Sequence, residues 1–180
     1  MKKAYSLVLI ILALVATSFV FKPKVEKADI KWLTWKQMQE AQKKEKRKVF
    51  VDVYTEWCGW CKRMDATTFS DPEIVKYANE NFYAIKFDAE TREIINYKGK
   101  DYKYISQGYR GYNELAAEIL GGQMSYPTSV YLDENLNQIF PVPGYQEPKV
   151  FETVLHFVHS NSYKTGTFET YQSEFLGNVK

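Results

Sequence analysis

The two cysteines of this 180-residue chain, Cys58 and Cys61, carry its most reactive side chains. A pair at this spacing can cycle between dithiol and disulfide, supply half of a zinc site, attach haem or close a structural loop. A zinc site needs about four ligands, and the only histidines are His156 and His159, far along the chain. Haem attachment needs a histidine directly after the second cysteine, where this chain has Lys62. These requirements leave redox chemistry and a structural disulfide.

The position of the pair favours redox chemistry. A disulfide that closes so short a loop would contribute only roughly 2 kcal/mol of stability in the chain-entropy description. The pair follows an apolar run and begins a helical pattern, and the free amides at a helix N-terminus stabilise a thiolate. Cys58 lies at the turn and Cys61 one turn into the helix. We therefore expect Cys58 to be the more exposed cysteine and to attack, and Cys61 to resolve the mixed disulfide.

Local patterns predict the elements that hold the pair. Thr34 and Gln37 form a capping box at the start of a first helix. The run Val49–Tyr54 is typical of a strand buried on both faces, apart from the single acid Asp52. Asp71 precedes a proline at the start of a further helix. The other predicted elements are strands at 82–88, 128–132 and 138–142, a pair of short strands within 94–105, and helices at 112–120 and 148–159.

The order and spacing of several residues resemble the thioredoxin superfamily. The matching features are Asp52, the run Trp57-Cys58-Gly59-Trp60-Cys61-Lys62, Lys86, Tyr126-Pro127-Thr128 and Gly144. The match covers about residues 35–159, and the chain looks most like exported thioredoxin-like proteins with Trp-Cys-Gly-Trp-Cys-Lys. The resemblance implies an α/β thioredoxin fold, with a central mixed β-sheet flanked by helices.

The resemblance also implies roles for individual residues. In that family the buried acid, here Asp52, assists deprotonation of the second cysteine, and the lysine matching Lys86 neighbours the acid. A buried acid is costly unless it is paired, so a hydrogen-bonded structural role for Asp52 is the alternative. Pro127 is implied to be cis and to lie beside the disulfide. The implied partner-binding residues are Trp57, Gly59, Trp60, Tyr126 and Pro127.

Two parts of the chain depart from thioredoxin itself. Trp60 stands where a proline is usual between the cysteines. The segment of about 91–125 is longer than a single crossover helix, and we expect this insertion before the cis-proline strand to border the active groove and to select the protein partner. Residues 161–180 form a C-terminal helical extension in which Phe168, Tyr171 and Phe175 share one face, as in a packing stripe.

Length and charge limit the remaining classes. The length suits one domain, which we place at 32–160. Twenty-four basic against 22 acidic residues argue against a charge-driven nucleic-acid binder. A basic start and an apolar run predict a signal peptide over residues 1–18, or an uncleaved anchor to about 21, followed by a linker at 19–31. We therefore expect an exported protein of the periplasm or cell envelope, an oxidising space.

These observations predict an exported thiol–disulfide oxidoreductase that acts on protein thiols and disulfides through a mixed disulfide of Cys58. Its cofactor would be the redox-active disulfide alone, without a metal. A membrane electron-transfer partner is expected to accompany it. The alternative is a non-catalytic binding module of the same fold, in which the disulfide between Cys58 and Cys61 only stiffens a docking loop.

Overall fold

The computed structural model describes residues 29–179. The predicted leader at 1–18 and the first part of the predicted linker lie outside this range. The strands are β1 (Trp32–Leu33), β2 (Lys48–Tyr54), β3 (Phe82–Asp88), β4 (Ile95–Tyr97), β5 (Lys100–Tyr102), β6 (Tyr104–Gln107), β7 (Arg110–Asn113), β8 (Thr128–Leu132) and β9 (Gln138–Pro143). The helices are α1 (Trp35–Lys44), α2 (Gly59–Ala66), α3 (Pro72–Asn81), α4 (Glu114–Ile119), α5 (Pro148–His159) and α6 (Phe168–Glu174), with a 3-10 turn at Ser162–Lys164.

Five strands form the predicted central mixed sheet, in the order β1-β3-β2-β8-β9. The first three are parallel, whereas β8 runs antiparallel to β2 and β9 antiparallel to β8. One edge strand, β1, has only two residues. The other edge strand, β9, contains Pro141 and Pro143. The long central strand β2 has a paired strand on each side, β3 and β8. It fixes the position of the turn that follows it.

Helices cover both faces of the sheet, because β2 is apolar on both faces. Val49, Val51 and Val53 pack with residues of α1 and α4, whereas Phe50 packs with residues of α2, α3 and α5. Side chains alternate between the faces of a strand, so Asp52 points to the same side as Phe50. The buried acid therefore faces the layer that contains α2.

The insertion forms two hairpins, of which the sequence predicted only the first. In the β4–β5 hairpin, Tyr97 and Tyr102 are buried, and the Tyr97 hydroxyl donates to the Leu136 carbonyl at 2.5 Å. This hairpin belongs to the core. The β6–β7 hairpin has mostly polar, exposed strands that lack an apolar alternation. The predicted helix at 112–120 begins two residues later, because its first residues complete β7 and Asn113 caps α4.

Both ends of the described chain are attached to the domain. Ile30 is buried, and the Lys31 amide donates to Asn79 Oδ1 at 2.8 Å. The packed domain therefore includes residues that we predicted to belong to the linker at 19–31. At the other end, the carboxylate of Glu152 accepts hydrogen bonds from the amides of Asn178 and Val179.

The predicted stripe of the C-terminal extension packs on α5. Phe168 and Tyr171 have ring centroids 5.7 and 5.2 Å from that of Phe157, and Phe175 lies 4.7 Å from the His156 ring. The extension therefore adds to the core on the side away from β4 and β5. Within residues 29–179, no helix is long and apolar enough to cross a membrane.

Candidate active site

The two cysteines are joined by a disulfide at the start of α2. After β2 ends, the Cys58 amide donates to the Thr55 carbonyl at 3.1 Å, which turns the chain into the helix. Cys58 is the N-cap residue, and its Sγ accepts a hydrogen bond from the Cys61 amide at 3.0 Å. An amide directed at this sulfur, together with the helix dipole, stabilises negative charge on it. The local structure therefore suits Cys58 to be the nucleophile.

The predicted difference in exposure between the cysteines is small in the oxidised protein. Cys58 is 5% exposed and Cys61 is 2% exposed. The order is as predicted, but Cys58 is buried because its sulfur turns toward the Cys61 amide to cap the helix. Trp57 and Trp60, by contrast, are 51% and 59% exposed, and they form the accessible surface beside the disulfide.

Asp52 and Lys86 form the ion pair that the resemblance implies. Lys86 Nζ lies 2.8 Å from Asp52 Oδ2, and the two residues are paired in the register of β2 and β3. Lys86 also forms an ion pair with Asp65 of α2. Asp65 follows Cys61 by four residues, so both lie on one face of the helix. Lys86 therefore connects the buried carboxylate to the helix face that carries Cys61.

Burial raises the pKa of Asp52 from 3.8 to about 6, because the charged form is disfavoured away from water. The positive charge of Lys86 opposes this rise, and the negative charge of Asp65 adds to it. Apart from the ion pair, no group among residues 29–179 hydrogen-bonds to the Asp52 carboxylate. A carboxyl group with a pKa near neutrality can both accept and return a proton.

Three segments hold Trp57 in place. Its indole Nε1 donates to Glu90 Oε1 at 3.0 Å, beyond the end of β3. Tyr126 contacts its ring edge to face, with centroids 5.9 Å apart, and the Arg110 guanidinium of β7 lies 4.5 Å from the ring centroid. The insertion therefore borders the surface beside the disulfide, as the sequence predicted. We call Trp57, Glu90, Tyr126 and Arg110 the Trp57 cluster.

Trp60 belongs to a second group of side chains. Its ring centroid lies 5.5 Å from that of Tyr145, and the Arg63 guanidinium lies 5.8 and 5.7 Å from the centroids of the two rings. The Tyr145 hydroxyl lies 3.1 Å from Thr67 Oγ1, which fixes the tyrosine to the end of α2. We call Trp60, Arg63 and Tyr145 the Trp60 cluster. It shares no residue with the Trp57 cluster.

The loop before β8 has the implied backbone form. The peptide bond between Tyr126 and Pro127 is cis. The Gly144 amide donates to the Pro127 carbonyl at 2.8 Å, and Gly144 has a φ of 90°, which favours glycine. At Gly59, the space that a Cβ would occupy is open. Because Gly59 has no side chain, a partner chain can approach the backbone beside Cys58 closely.

Sequence reasoning missed five residues of this site. Asp65 carried a usable signal, because an acid four residues after Cys61 shares its helix face. Arg63 carried one as well, because it follows Trp60 by three residues on α2. Glu90, Arg110 and Tyr145 carried none, because each reaches its tryptophan through the fold rather than along the chain. Within residues 29–179, no group of three or more metal-ligating side chains lies together.

The family of thioredoxin-like domains matches residues 35–159 of this chain. The chain therefore belongs to the thioredoxin-like domain family, with its cysteine pair at the start of the first helix after the central strand β2.

The similar proteins differ in how much they share with the chain. The uncharacterized protein B0495.5 of Caenorhabditis elegans is 28% identical over 143 residues, which cover 76% of this chain and 18% of that protein. The chain thus spans less than a fifth of that relative. A thioredoxin-fold protein from Helicobacter pylori superposes with a TM-score of 0.56 at 19% identity, over 71% of this chain and 83% of the other. The DsbH oxidoreductase gives 0.54 at 14% identity, over 79% and 90%. These structures share the fold.

Proposed function

We propose that this protein is a thiol–disulfide oxidoreductase that acts on cysteines of other proteins. One observation carries the proposal: the Cys58–Cys61 disulfide caps a helix that Asp65 and Lys86 link to the buried Asp52. A disulfide that only stiffens a loop would need no titratable carboxyl group behind it. The oxidoreductase relatives of the same fold agree with the proposal.

The reaction transfers one disulfide between proteins. The Cys58 thiolate of the reduced enzyme attacks one sulfur of a partner disulfide, and the other partner sulfur leaves as a thiolate. Cys61 then attacks the Cys58 sulfur, giving up its proton to Asp52, and the second partner sulfur leaves as a thiolate. The enzyme dithiol is thereby oxidised to the disulfide, and the partner disulfide is reduced to two thiols. The reverse sequence oxidises a partner.

Reduction of insulin by dithiothreitol tests the proposal. We expect a catalytic amount of the protein to accelerate the appearance of turbidity, because the enzyme dithiol reacts with protein disulfides faster than dithiothreitol does. A double variant that replaces both cysteines with serine is the control. If the wild-type protein gives no acceleration and dithiothreitol fails to open its disulfide, the protein is a binding module with a structural disulfide.

We further propose that the protein works outside the cytoplasm, in the periplasm or cell envelope, with a membrane electron-transfer partner. The support is the basic start and the apolar run of the first 18 residues. The intact mass of the exported protein tests this. Loss of residues 1–18 indicates a released protein, a retained leader indicates an anchored one, and absence from the envelope fraction contradicts export.

The β6–β7 hairpin is proposed to select the partner. Its turn leaves Tyr109 fully exposed, and the next residue, Arg110, contacts Trp57. The base of the hairpin is fixed because the buried Asn113 bonds to the carbonyls of Thr91 and Glu93. A fixed arm beside the cysteines can touch a protein partner, whereas a small disulfide reaches the sulfur without it. The β4–β5 hairpin is excluded from this role because its tyrosines belong to the core.

Removing the Arg110 side chain should therefore slow the reaction with protein disulfides more than the reaction with small disulfides. In Arg110→Ala, we expect the ratio of the rate for a protein disulfide to the rate for hydroxyethyl disulfide to fall about three- to tenfold, the effect of one interface contact. Lys36→Ala is the control, because Lys36 is an exposed cation of α1 and lies outside the β6–β7 hairpin. Equal ratios in both variants and in the wild type would show that the hairpin takes no part in partner choice.

A further inference from the structure

The Trp60 cluster presents a cation without a carboxylate partner. The Arg63 guanidinium lies over the rings of Trp60 and Tyr145. Among the ion pairs of residues 29–179, none includes Arg63 or its neighbour Lys62. A guanidinium stacked on aromatic rings keeps its edge N–H groups free to bind a carboxylate. The cluster thus has a guanidinium that contacts Tyr145 and that no carboxylate of residues 29–179 pairs with.

The charges near the two tryptophans differ in sign. Near Trp57 the chain places three carboxylates, those of Glu56, Asp88 and Glu90. Asp88 is close enough to the other two that their charges raise its pKa, in addition to the rise caused by burial. Arg110 is the cation of the Trp57 cluster. The side of Trp57 is therefore mainly acidic.

The side of Trp60 is mainly basic. Lys62 and Arg63 are exposed and belong to the first turns of α2. The nearby Asp65 is occupied by Lys86. Glu147, two residues after Tyr145, is exposed and is followed closely by Lys149. Trp57 and Trp60 precede and follow Cys58 in the chain, so we expect a partner segment that crosses Cys58 to meet opposite charges on its two flanks.

We propose that the Trp60 cluster is a binding subsite for an acidic side chain that flanks the reactive cysteine of the partner protein. The inference rests on the proposed function and specifies its substrate class as cysteine segments with Asp or Glu on one flank. The occupant is an extended segment with a carboxylate against Arg63 and apolar atoms against Trp60. Trp, Tyr and Arg are the residue types that contribute most to protein interfaces, and here all three occur in one contact group. The carboxylates near Trp57 disfavour an acid on the opposite flank.

Peptides with one activated cysteine test the subsite. Each peptide carries its cysteine as a mixed disulfide with thiopyridine, a neutral leaving group, so that attack by Cys58 joins the peptide to the enzyme and releases thiopyridone. Glu, Gln or Lys stands directly before or directly after the cysteine. We expect wild-type enzyme at low salt to react with the Glu peptide about three- to tenfold faster than with the Gln peptide, on one flank only. Added salt should reduce the ratio, because it screens charges.

Variants of Arg63 test whether this residue causes the faster reaction of the Glu peptide. Arg63→Gln should bring the ratio of the Glu and Gln rates close to one, whereas Arg63→Lys should keep part of it, because the charge remains and the planar fork is lost. Lys76→Gln removes an exposed charge from α3 and should leave the ratio unchanged. A wild-type ratio below about twofold, within what an exposed charge pair gives, overturns the subsite. A ratio that survives in Arg63→Gln also overturns it.

The rate for neutral hydroxyethyl disulfide separates this inference from the proposed function. If this small disulfide is reduced but the charge of the peptide does not change its reaction rate, the protein is an oxidoreductase without a subsite for an acidic side chain. If it is not reduced either, the proposed function itself has failed.

Discussion

Cys58→Ser is expected to lose all catalysis of insulin reduction, down to the rate of dithiothreitol alone, whereas Cys61→Ser should accumulate mixed disulfides with partner proteins. The Cys58 sulfur caps α2 and accepts a hydrogen bond from the Cys61 amide. Without it, no thiolate at the helix start can attack a partner. Without Cys61, the first attack proceeds, but the partner stays bound through Cys58 because no second thiolate releases it.

Two measurements check these roles. Mass spectrometry of Cys61→Ser after exposure to partner proteins should detect covalent adducts at Cys58, and the same treatment of the variant without either cysteine is the control. In the reduced wild-type protein, a limited amount of alkylating reagent at neutral pH should label Cys58 well before Cys61. Earlier labelling of Cys61, or adducts in Cys58→Ser rather than in Cys61→Ser, would reverse the assignment.

Asp52→Asn is expected to slow the release of the partner much more than its capture. In the proposed mechanism the carboxyl group accepts the Cys61 proton in the second step, and a positioned base contributes about 100-fold or more. Because the pKa of Asp52 is about 6, the release rate of the wild type should rise with pH through this value. The variant should lack that inflection. Double-mixing stopped flow separates release from capture, because the mixed disulfide forms in the first mixing step and its decay is followed after a second mixing step that sets the pH.

The same substitution should also change how stability depends on pH. Between pH 4 and 6 the native carboxyl group keeps a proton that the unfolded chain has released, so the free energy of unfolding falls as pH rises through this window. A pKa difference of about two units corresponds to about 3 kcal/mol. Asp52→Asn should lack this decline. Its Lys86 stays paired with Asp65, so the substitution leaves no unpaired buried cation.

Urea denaturation of the oxidised protein at pH 4 and pH 8 measures this difference. Asp29→Asn is the control, because Asp29 is an exposed carboxyl that has no part in the ion pair with Lys86. If Asp52→Asn alters stability but leaves the release rate and its pH profile unchanged, Asp52 is a structural acid. If Asp52→Asn shows the same change in stability across the window as the wild type, the carboxyl group is not destabilised by burial.

The central elements could be predicted because their signals are local. The capping box at Thr34 marks the start of α1, and an unbroken apolar run marks β2. The resemblance placed Lys86 beside Asp52, and the register of β2 and β3 confirms it. In each case, neighbouring residues or a family motif carry the information.

The parts of the structure that the sequence did not predict depend on contacts between residues far apart in the chain. The strands of β6–β7 are polar, and their position depends on Asn113, whose side chain bonds to carbonyls about 20 residues earlier. The contact of Arg110 with Trp57 joins residues that are far apart in the chain. The periodicity of hydrophobic residues in the sequence does not indicate such contacts. The exposure of Cys58 was overestimated because its sulfur turns toward the Cys61 amide and caps the helix.

The two edges of the central sheet also bear on how the protein behaves at high concentration. An open edge strand is a template on which another chain can add a strand, and this is a common start of aggregation. Here one edge has two residues, and the other has Pro141 and Pro143, which have no N–H to donate. The proposed oxidoreductase would meet partner segments that expose cysteines. Its sheet edges resist strand addition by such segments, so contact with them would fall to the side chains around the disulfide.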